Sequence, residues 1–400
     1  MFFDISVFLP ILSQEIQFKL EITLTLQIMA GIYIHIPFCK QKCSYCDFHF
    51  STTYHSYREK MIESICKEIL NRKEEISEPI ETIYFGGGTP SLLSKVELAL
   101  LLSTIQTSFT IINSPEITLE ANPDDLTFEK LTDFKSVGIN RLSIGLQSFR
   151  AEDLKWMNRA HTAEESLNCI PMAQKAGFNN ISIDLIYGLP NLPLVEWEKM
   201  IYIAIQLNVQ HISAYCLTVE GKTALKKWVD TKQISVSNED EQSDQFDLLV
   251  QKLKEAGINQ YEISNFSKAN FESKHNSSYW KGIHYIGVGP SAHSFNGKSR
   301  SWNISNNRNY IKALENDEEW FETEILTLEN QFNELILTGL RTIYGLNLEK
   351  LKTICEPPTT FWKTLNQFIE CNWLKQEINT ISLTEEGKLK ADYIASELFI

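Results

Sequence analysis

The sequence predicts an α/β protein whose main domain is a partial (β/α)6 barrel, followed by a small C-terminal helical, winged-helix-like domain. Short β-rich runs alternate with longer segments of helical period from residue 31 to about residue 217, which is the pattern of a parallel sheet covered by helices. Polar, glycine-rich or motif-like residues follow every strand, as in 37–46 and 86–91. Barrel enzymes place chemical groups at the carboxyl ends of several strands, whereas open sheets concentrate them at one switch point. The distribution therefore favours the barrel.

The elements follow from the local periodicity. Strands rich in β-branched and aromatic residues are predicted at 31–36, 81–86, 116–121, 140–146, 181–188 and 211–217. Helices are predicted between them at 54–76, 95–109, 126–137, 163–176 and 195–207, and Gly177 is a stop signal for the fourth. We expect the core barrel to span 29–260 and an accessory segment to span 261–310.

Residues 320–400 are expected to form three helices and then a hairpin around 381–394, in the order of a winged helix. Winged helices often bind DNA, but acidic residues outnumber basic ones in this region. A cap or a protein-contact module is therefore predicted here rather than a nucleic-acid-binding domain.

The overall composition excludes other classes of protein. The chain has 400 residues, with 37 Lys+Arg against 51 Asp+Glu and a formal net charge of -14, so it lacks the basic field that a phosphate backbone requires. The apolar N-terminal stretch is interrupted by Asp4, Glu15 and Lys19, so neither a membrane span nor a secretory signal is predicted. Residues 1–28 are expected to be an extension that is weakly structured or not translated, because Met29 precedes the first strand. A cytoplasmic location is expected.

Three of the eight cysteines, Cys39, Cys43 and Cys46, lie together after the first predicted strand, and the other five are scattered and expected to pack in the core. A structural zinc ion would need a fourth ligand, for which His35 and His49 are nearby. A [4Fe-4S] cluster with one open iron needs only three thiolates from the protein, whereas ordinary electron-transfer clusters use four.

The Cys-x3-Cys-x2-Cys spacing after a first barrel strand resembles that of the radical S-adenosylmethionine (SAM) superfamily. The resemblance implies that the three cysteines bind a [4Fe-4S] cluster and that the open iron binds the amino and carboxylate groups of SAM. Reduction would then cleave SAM to a 5′-deoxyadenosyl radical. The run Gly86-Gly87-Gly88-Thr89-Pro90 resembles the glycine motif of this superfamily, which lets the backbone approach SAM. A tight turn without a ligand is the alternative.

Four polar residues stand at or after later strands: Glu120, Gln147, Arg159 and Asp184. Taken singly, each is as consistent with an ion pair as with a ligand contact. Together they suit a zwitterion that carries a ribose, because Arg can bind the carboxylate while the others bind the amine and the hydroxyls.

Several strings narrow the resemblance to the family that contains the oxygen-independent coproporphyrinogen III oxidases (dehydrogenases) and the heme chaperones, from Met29 onward. They are YIHIPFCKQKCSYCDF, YFGGGTPSLL, LEANPDD, RLSIGLQSF, NRAHT, DLIYGLP, YEISNF, HNSSYW and GVGPSAHSF. The resemblance implies SAM contacts from Tyr33, Gly87, Gly88, Thr89, Glu120, Gln147, Arg159 and Asp184. No residue of the chain itself is assigned a catalytic role.

One position separates the branches of this family. The dehydrogenases carry a fourth cysteine two residues after the third, where this sequence has Phe48, and a longer segment ahead of the cluster. Both departures predict the heme-chaperone branch, with oxidative decarboxylation of coproporphyrinogen as the main alternative. A radical SAM enzyme acting on RNA is disfavoured by the acidic charge balance.

The heme-chaperone branch implies heme as a further ligand, hemoproteins as recipients and an electron donor for the cluster. Peripheral contact with membrane hemoproteins and a cluster-dependent homodimer both remain open. His275, in the string HNSSYW, resembles the histidine of the HNxxYW motif of that branch, and a histidine can ligate heme iron while Tyr279 and Trp280 stack on the porphyrin. The alternative is a packed loop. His284 and His293 are weaker ligand candidates.

Overall fold

The computed structural model describes residues 29–400, so the predicted N-terminal extension lies outside the described residues. The strands are β1 (Ala30–Ile36), β2 (Ile80–Gly87), β3 (Ile111–Ala121), β4 (Arg141–Gln147), β5 (Ile181–Tyr187), β6 (His211–Cys216), β7 (Asn259–Glu262), β8 (Asn265–Ser267), β9 (Tyr285–Val288), β10 (His293–Phe295), β11 (Ser299–Asn303), β12 (Phe321–Ile325), β13 (Leu346–Asn347), β14 (Leu374–Glu377) and β15 (Thr380–Leu383). All six predicted barrel strands are present.

Helices cover the sheet in the predicted alternation. They are α1 (Arg58–Asn71), α2 (Lys95–Ser108), α3 (Phe128–Ser136), α4 (Ala151–Trp156), α5 (Ala163–Lys175), α6 (Leu194–Gln206), α7 (Ala224–Asp230), α8 (Glu239–Glu255), α9 (Lys274–Lys281), α10 (Asn307–Glu315), α11 (Leu328–Leu340), α12 (Leu348–Ile354), α13 (Thr359–Glu370), α14 (Glu385–Lys388) and α15 (Ala391–Glu397). Capping boxes fix several of their starts, including Ser94 with Glu97 at α2 and Thr162 with Glu165 at α5. No helix within residues 29–400 is long and apolar enough to cross a bilayer.

Strands β1 to β6 pair in parallel and in chain order, which confirms the predicted fold class. The outer edge of β1 pairs in parallel with β9, and the outer edge of β6 pairs with the antiparallel strand β8. The six strands therefore form a partial barrel that does not close on itself within the described residues.

The sheet continues past the expected boundary at residue 260. Strands β9 to β12 extend it beyond β1, and β8 and β7 extend it beyond β6, giving twelve strands in all. The segment 261–310, expected as an accessory unit, thus contributes strands to the same sheet as the barrel.

A buried carboxylate attaches the β9–β12 extension to the barrel. Glu68, on α1, is fully buried and accepts hydrogen bonds from Asn303 Nδ2 at 2.7 Å, Tyr310 OH at 2.6 Å and Trp320 Nε1 at 3.1 Å. It also accepts the backbone N–H of Gly289 at 2.8 Å. Because every lone pair of this carboxylate is used, its burial is compensated and the extension is held in one position.

The C-terminal region has a hydrophobic core of its own, centred on Phe332, Ile336 and Phe361. Helices α11, α12 and α13 precede the hairpin of β14 and β15, as a winged helix requires. The predicted position of the hairpin, around 381–394, is wrong by several residues. Thr384 caps α14 by accepting the N–H of Gly387 at 3.1 Å, so residues after 384 are mainly helical.

Candidate functional site

The inner face of the barrel is polar and its outer face is apolar. Successive side chains of a strand point to opposite faces, and the strands read accordingly, with Ile32, Ile34, Ile83 and Phe85 packed in the core beneath the helices. The side chains that face the interior are polar, and those of neighbouring strands lie side by side in rows. From the amino end toward the carboxyl end, the first row is Tyr33, Tyr84, Thr118 and Arg141, and the second is Glu120, Ser143, Ser182 and His211. The third row pairs Asp184 with Ser213. The barrel thus encloses a lining suited to a polar ligand.

The three clustered cysteines lie in the segment that follows β1. Its base is closed by two backbone hydrogen bonds, from Cys39 N to Ser51 O at 3.1 Å and from Ser51 N to Pro37 O at 2.8 Å. Phe38, which is fully buried, anchors the same point in the core. The cysteine-bearing loop therefore starts and ends at a fixed place at the carboxyl end of the barrel.

Two side chains from the segments that follow β2 and α4 approach the thiols. Thr89 Oγ1 lies 3.5 Å from Cys39 Sγ, and Arg159 Nη1 lies 3.5 Å from Cys43 Sγ. Burial raises the pKa of Cys39 to about 12 and that of Cys46 to about 11, and the nearby thiols raise both. Thiols need a positive partner to ionise in such a place, which bound iron supplies.

The arrangement fits a cluster better than a zinc ion. Within residues 29–400, no three His, Cys, Asp or Glu side chains converge closely enough to hold a single metal ion. The histidines considered as zinc ligands have other partners, since His35 Nε2 bonds His49 O at 2.8 Å and His49 Nε2 bonds Asn307 Oδ1 at 2.6 Å. A cluster binds each thiolate to a different iron and needs a wider ring of ligands.

The glycine run after β2 packs directly against the base of the cysteine loop. A Cβ atom at Gly88 would lie 2.6 Å from Phe38 O. The backbone N–H of Gly88 donates to Ile36 O at 2.9 Å. Gly87 has φ +101°, which disfavours other residues, and its N–H donates to Glu120 Oε2 at 3.2 Å. The run brings the backbone, Thr89 and Glu120 beside the cysteines.

Two carboxylates face the interior. Glu120 accepts Tyr84 OH at 2.9 Å, and burial raises the pKa of its carboxyl to about 7. Burial also raises the pKa of Asp184 to about 6, although Ser143 Oγ lies within 3.4 Å of Oδ1. Neither has a salt-bridge partner among the described residues, so a cationic ligand would find two acceptors here.

Arg159 and Gln147 complete the lining near the loop. Arg159 Nη2 donates to Asn122 Oδ1 at 2.6 Å and to Gly145 O at 2.9 Å, which fixes the guanidinium, while Nε is buried and has no partner among residues 29–400. Gln147 adopts φ +66°, and its Nε2 lies 2.7 Å from where a Cβ of Gly145 would be. The side-chain amide of Gln147 therefore covers Gly145, and Gln147 ends β4 at the interior of the barrel.

Comparison with known proteins identifies the family of this chain. The model of the radical SAM superfamily matches residues 33–201. The chain is 34% identical to the heme chaperone HemW of Bacillus subtilis (strain 168) over 366 residues, covering 90% of this chain and 97% of the relative. The chain belongs to the HemW family.

A second HemW relative, from Lactococcus lactis subsp. lactis (strain IL1403), is 33% identical over 89% of this chain and 93% of its own length. The solved structure of coproporphyrinogen III oxidase (HemN) from Escherichia coli, a radical SAM enzyme, aligns with a TM-score of 0.80 at 20% identity, covering 93% of this chain and 90% of that one. That likeness shows a shared fold. Membership of the radical SAM superfamily implies a [4Fe-4S] cluster and SAM.

The residues present fit those two cofactors. The three thiols lie together beside Thr89 and Arg159, and the interior offers acceptors at Glu120 and Asp184 and an unpartnered buried donor at Arg159 Nε. The structure thus brings together all the sequence-predicted residues of the cluster and SAM sites: Tyr33, Cys39, Cys43, Cys46, Gly87, Gly88, Thr89, Glu120, Gln147, Arg159 and Asp184. Their individual contacts with SAM stay predictions.

His275, the ligand predicted from the HNxxYW motif of the HemW family, lies elsewhere. It is only 1% exposed, at the amino end of the barrel, with Nδ1 2.7 Å from Thr82 Oγ1 and Nε2 2.8 Å from Tyr279 OH. Its ring stacks on Tyr84 with the centroids 4.9 Å apart, and burial lowers its pKa to about 3. The structure favours the packing alternative, because neither ring nitrogen is available to iron.

Sequence reasoning missed one side chain of the interior. Arg141 is 1% exposed, and its Nε and Nη1 have no hydrogen-bond partner within residues 29–400. It lies beside Thr118 in the same layer as Tyr33 and Tyr84. The signal was present in the sequence, since Arg141 begins a strand in which polar and apolar residues alternate.

Proposed function

We propose that the chain is a cytoplasmic heme chaperone that carries a [4Fe-4S] cluster and SAM, binds heme and delivers it to hemoproteins. The proposal rests on membership of the HemW family, whose curated relatives are named heme chaperones and match this chain along almost their whole length. An electron donor for the cluster and the recipient hemoproteins are the partners it requires.

Phe48 is the single position that weighs most against the alternative, coproporphyrinogen oxidation. It follows Cys46 by two residues, where the dehydrogenases carry a cysteine, and it is 69% exposed. An exposed phenyl ring provides no ligand for iron and no nucleophile. The position therefore supports binding and delivery of a finished porphyrin rather than decarboxylation of its precursor.

The proposed roles of the chain's residues follow from their positions. Cys39, Cys43 and Cys46 hold the cluster, which supplies an open iron and one-electron chemistry when bound. Arg159 is fixed by Asn122 with Nε free, which suits a carboxylate of SAM, and Glu120 and Asp184 suit its ammonium and ribose hydroxyls. Tyr33, Gly87, Gly88, Thr89 and Gln147 complete the same site.

Parallel assays on one anaerobically reconstituted sample test this function. The protein should bind ferric heme, with a shifted Soret band, and should transfer it to apomyoglobin used as a probe acceptor. Coproporphyrinogen III incubated with SAM and dithionite should remain unchanged. Formation of protoporphyrinogen would overturn the proposal in favour of the oxidase, and absence of heme binding with a loaded cluster would reject it outright.

A further inference from the structure

Two of the three clustered thiols have a side-chain donor each, and both donors bond the same residue, Asn122. Thr89 Oγ1 lies 3.5 Å from Cys39 Sγ and 3.3 Å from Asn122 Nδ2. Arg159 Nη1 lies 3.5 Å from Cys43 Sγ, and its Nη2 lies 2.6 Å from Asn122 Oδ1. A continuous path of hydrogen bonds therefore connects Cys39 with Cys43 through the side-chain amide of Asn122.

The direction of every bond on this path is set by the chemistry of its members. A guanidinium has only donors, so the amide atom that faces Arg159 must be the carbonyl oxygen Oδ1 of Asn122. The amide nitrogen Nδ2 then donates to Thr89 Oγ1. Because that hydroxyl oxygen accepts from Asn122, its own proton is free to point at Cys39 Sγ. Both thiols therefore accept a hydrogen bond from the path.

The backbone of Asn122 holds the amide between the two donors. The residue follows β3 directly and caps a single 3₁₀ turn, Pro123–Asp125. Its N–H donates to Ser91 Oγ at 3.3 Å, and its carbonyl oxygen accepts the N–H of Asp125 at 3.1 Å. Ser91 Oγ donates in turn to Asp125 Oδ2 at 2.7 Å, and both of these residues are buried. A change of the Asn122 side chain leaves all of these bonds in place.

The third thiol, Cys46, has a donor that is independent of Asn122. Burial raises the pKa of the Cys46 thiol to about 11, while the backbone N–H of Phe48 opposes that rise. Burial likewise raises the pKa of Cys39 to about 12, while the Thr89 hydroxyl opposes it. A donor has this effect because a hydrogen bond stabilises the thiolate more than the thiol. Asn122 thus influences the surroundings of two cluster ligands and leaves the third unchanged.

Hydrogen bonds to cluster thiolates affect electron transfer as well as ligand binding. Reduction by one electron adds negative charge to the iron and sulfur atoms, so donors aimed at the sulfurs stabilise the reduced state and raise the reduction potential. Bonds joined in a chain polarise one another, so loss of the central amide weakens the donors at both ends. The same amide fixes the guanidinium of Arg159, whose free Nε suits the carboxylate of SAM.

We propose that Asn122 is a positioning residue: by orienting Thr89 and Arg159, it raises the reduction potential of the cluster and strengthens the binding of SAM. The inference rests on the cluster and SAM site of the proposed function and is independent of heme delivery. Asn122 acts on the thiols through other side chains. One amide thereby couples the two properties that reductive cleavage of SAM requires, an electron at a usable potential and a bound substrate.

Redox titration of reconstituted, SAM-free protein, followed by EPR, tests the effect on the potential. Asn122→Ala should lower the ratio of reduced to oxidised cluster at a fixed potential by roughly tenfold, about 59 mV for one electron. SAM affinity, measured by equilibrium dialysis, should fall by roughly tenfold as well. Asn113→Ala, which changes an exposed asparagine of the same strand, is the matched control and should alter neither. Iron and sulfide analysis should give equal cluster content for all proteins.

A double-mutant cycle on the potential separates positioning from a general structural effect. Thr89→Val removes the hydroxyl and should lower the midpoint potential, whereas Thr89→Ser keeps the hydroxyl and should retain the wild-type value. If Asn122 acts through Thr89, the shifts of Asn122→Ala and Thr89→Val sum to more than the shift of the double variant. Additive shifts would mean that the two residues act independently, and the inference would be overturned.

The outcomes also separate the inference from the cofactor site beneath it. If fully loaded Asn122→Ala keeps the wild-type potential and SAM affinity, the inference fails and the cluster site stands. If Asn122→Ala loads too little cluster to titrate, the Thr89 variants decide: a lowered potential in Thr89→Val alone supports the inference, and an unchanged one rejects it. If the wild type binds no cluster after anaerobic reconstitution, the cofactor assignment fails and the inference with it.

Discussion

The two ends of the barrel differ in how their polar side chains are paired, although Arg141, at the start of β4, keeps Nε and Nη1 without a partner among residues 29–400. At the amino end, His275, Thr82 and Tyr279 satisfy one another, and Glu116 accepts the N–H of His275 at 3.0 Å. At the carboxyl end, three thiols lie together without bonding one another, and Arg159 Nε has no partner in the part of the chain that the structure describes. A buried polar group with complete hydrogen bonds stabilises the fold, whereas an incomplete one indicates a ligand.

The largest expected effect is the loss of the iron–sulfur cluster when a cysteine at the carboxyl end of the barrel is replaced. Cys39→Ala, Cys43→Ala or Cys46→Ala should abolish the visible absorbance of the reconstituted cluster, because three ligands are the minimum that leaves one open iron. Cys371→Ala, which removes an exposed cysteine elsewhere, should load normally. Iron and sulfide analysis measures both, and an unchanged cluster in the first three variants would reject the assignment.

The second expected effect is on stability at the amino end. His275→Ala leaves Thr82 and Tyr279 without their buried partner and should lower the free energy of unfolding by roughly 2–4 kcal/mol. Lys281→Ala, an exposed change on the same helix, should have little effect. Urea unfolding of the cluster-free proteins measures the difference. Equal stability of the His275 variant and the wild type would contradict the packing role.

The third concerns the guanidinium at the carboxyl end. Arg159→Lys keeps the charge but loses the fork that bonds Asn122 and Gly145, so SAM affinity should fall roughly 10–100-fold. Arg308→Lys, the same substitution at an exposed arginine of α10, is the matched control. Equilibrium dialysis with reconstituted protein gives both affinities. Equal losses would show that Arg159 does not contact SAM.

The smallest expected effect is a pH dependence. The carboxyl of Glu120 has a pKa of about 7 in the folded protein and about 4.3 when unfolded, so the folded state binds its proton more tightly. SAM-free wild type should therefore lose roughly 1 kcal/mol of stability as pH rises from 5 to 6, relative to Glu120→Gln. Glu63→Gln, exposed on α1, is the control. Parallel pH profiles for wild type and Glu120→Gln would contradict the raised pKa.

The local sequence was sufficient to predict the barrel, because each strand and helix has a hydrophobic pattern within its own residues. The alternation of apolar runs with helical periods located β1 to β6, and the polar residues after each strand identified the mouth. The cysteine spacing and the glycine run gave the cluster site, since parallel strands bring their carboxyl ends to one edge of the sheet.

Features that depend on contacts between residues far apart in the sequence could not be predicted. His275 contacts Thr82 across 193 residues of sequence, and no local pattern indicates that α9 closes the amino end of the barrel. The sheet extension depends equally on distant pairing, because β9 joins β1. The hairpin was misplaced because the turn after β14 uses Ile378 at φ +53°, a residue that turns rarely select.

Glu68 has a consequence for how the chain acquires its structure during synthesis. Its hydrogen-bond partners apart from Arg72 lie between 221 and 252 residues later, from Gly289 to Trp320. A nascent chain that has emerged only through β6 therefore holds a carboxylate that cannot yet be buried without penalty. The Glu68 carboxylate is fully paired only after the β9–β12 extension has been synthesised, so we expect α1, the barrel and this extension to be completed in one late step. A chain truncated after residue 296 should consequently be digested by protease throughout, instead of leaving a resistant barrel.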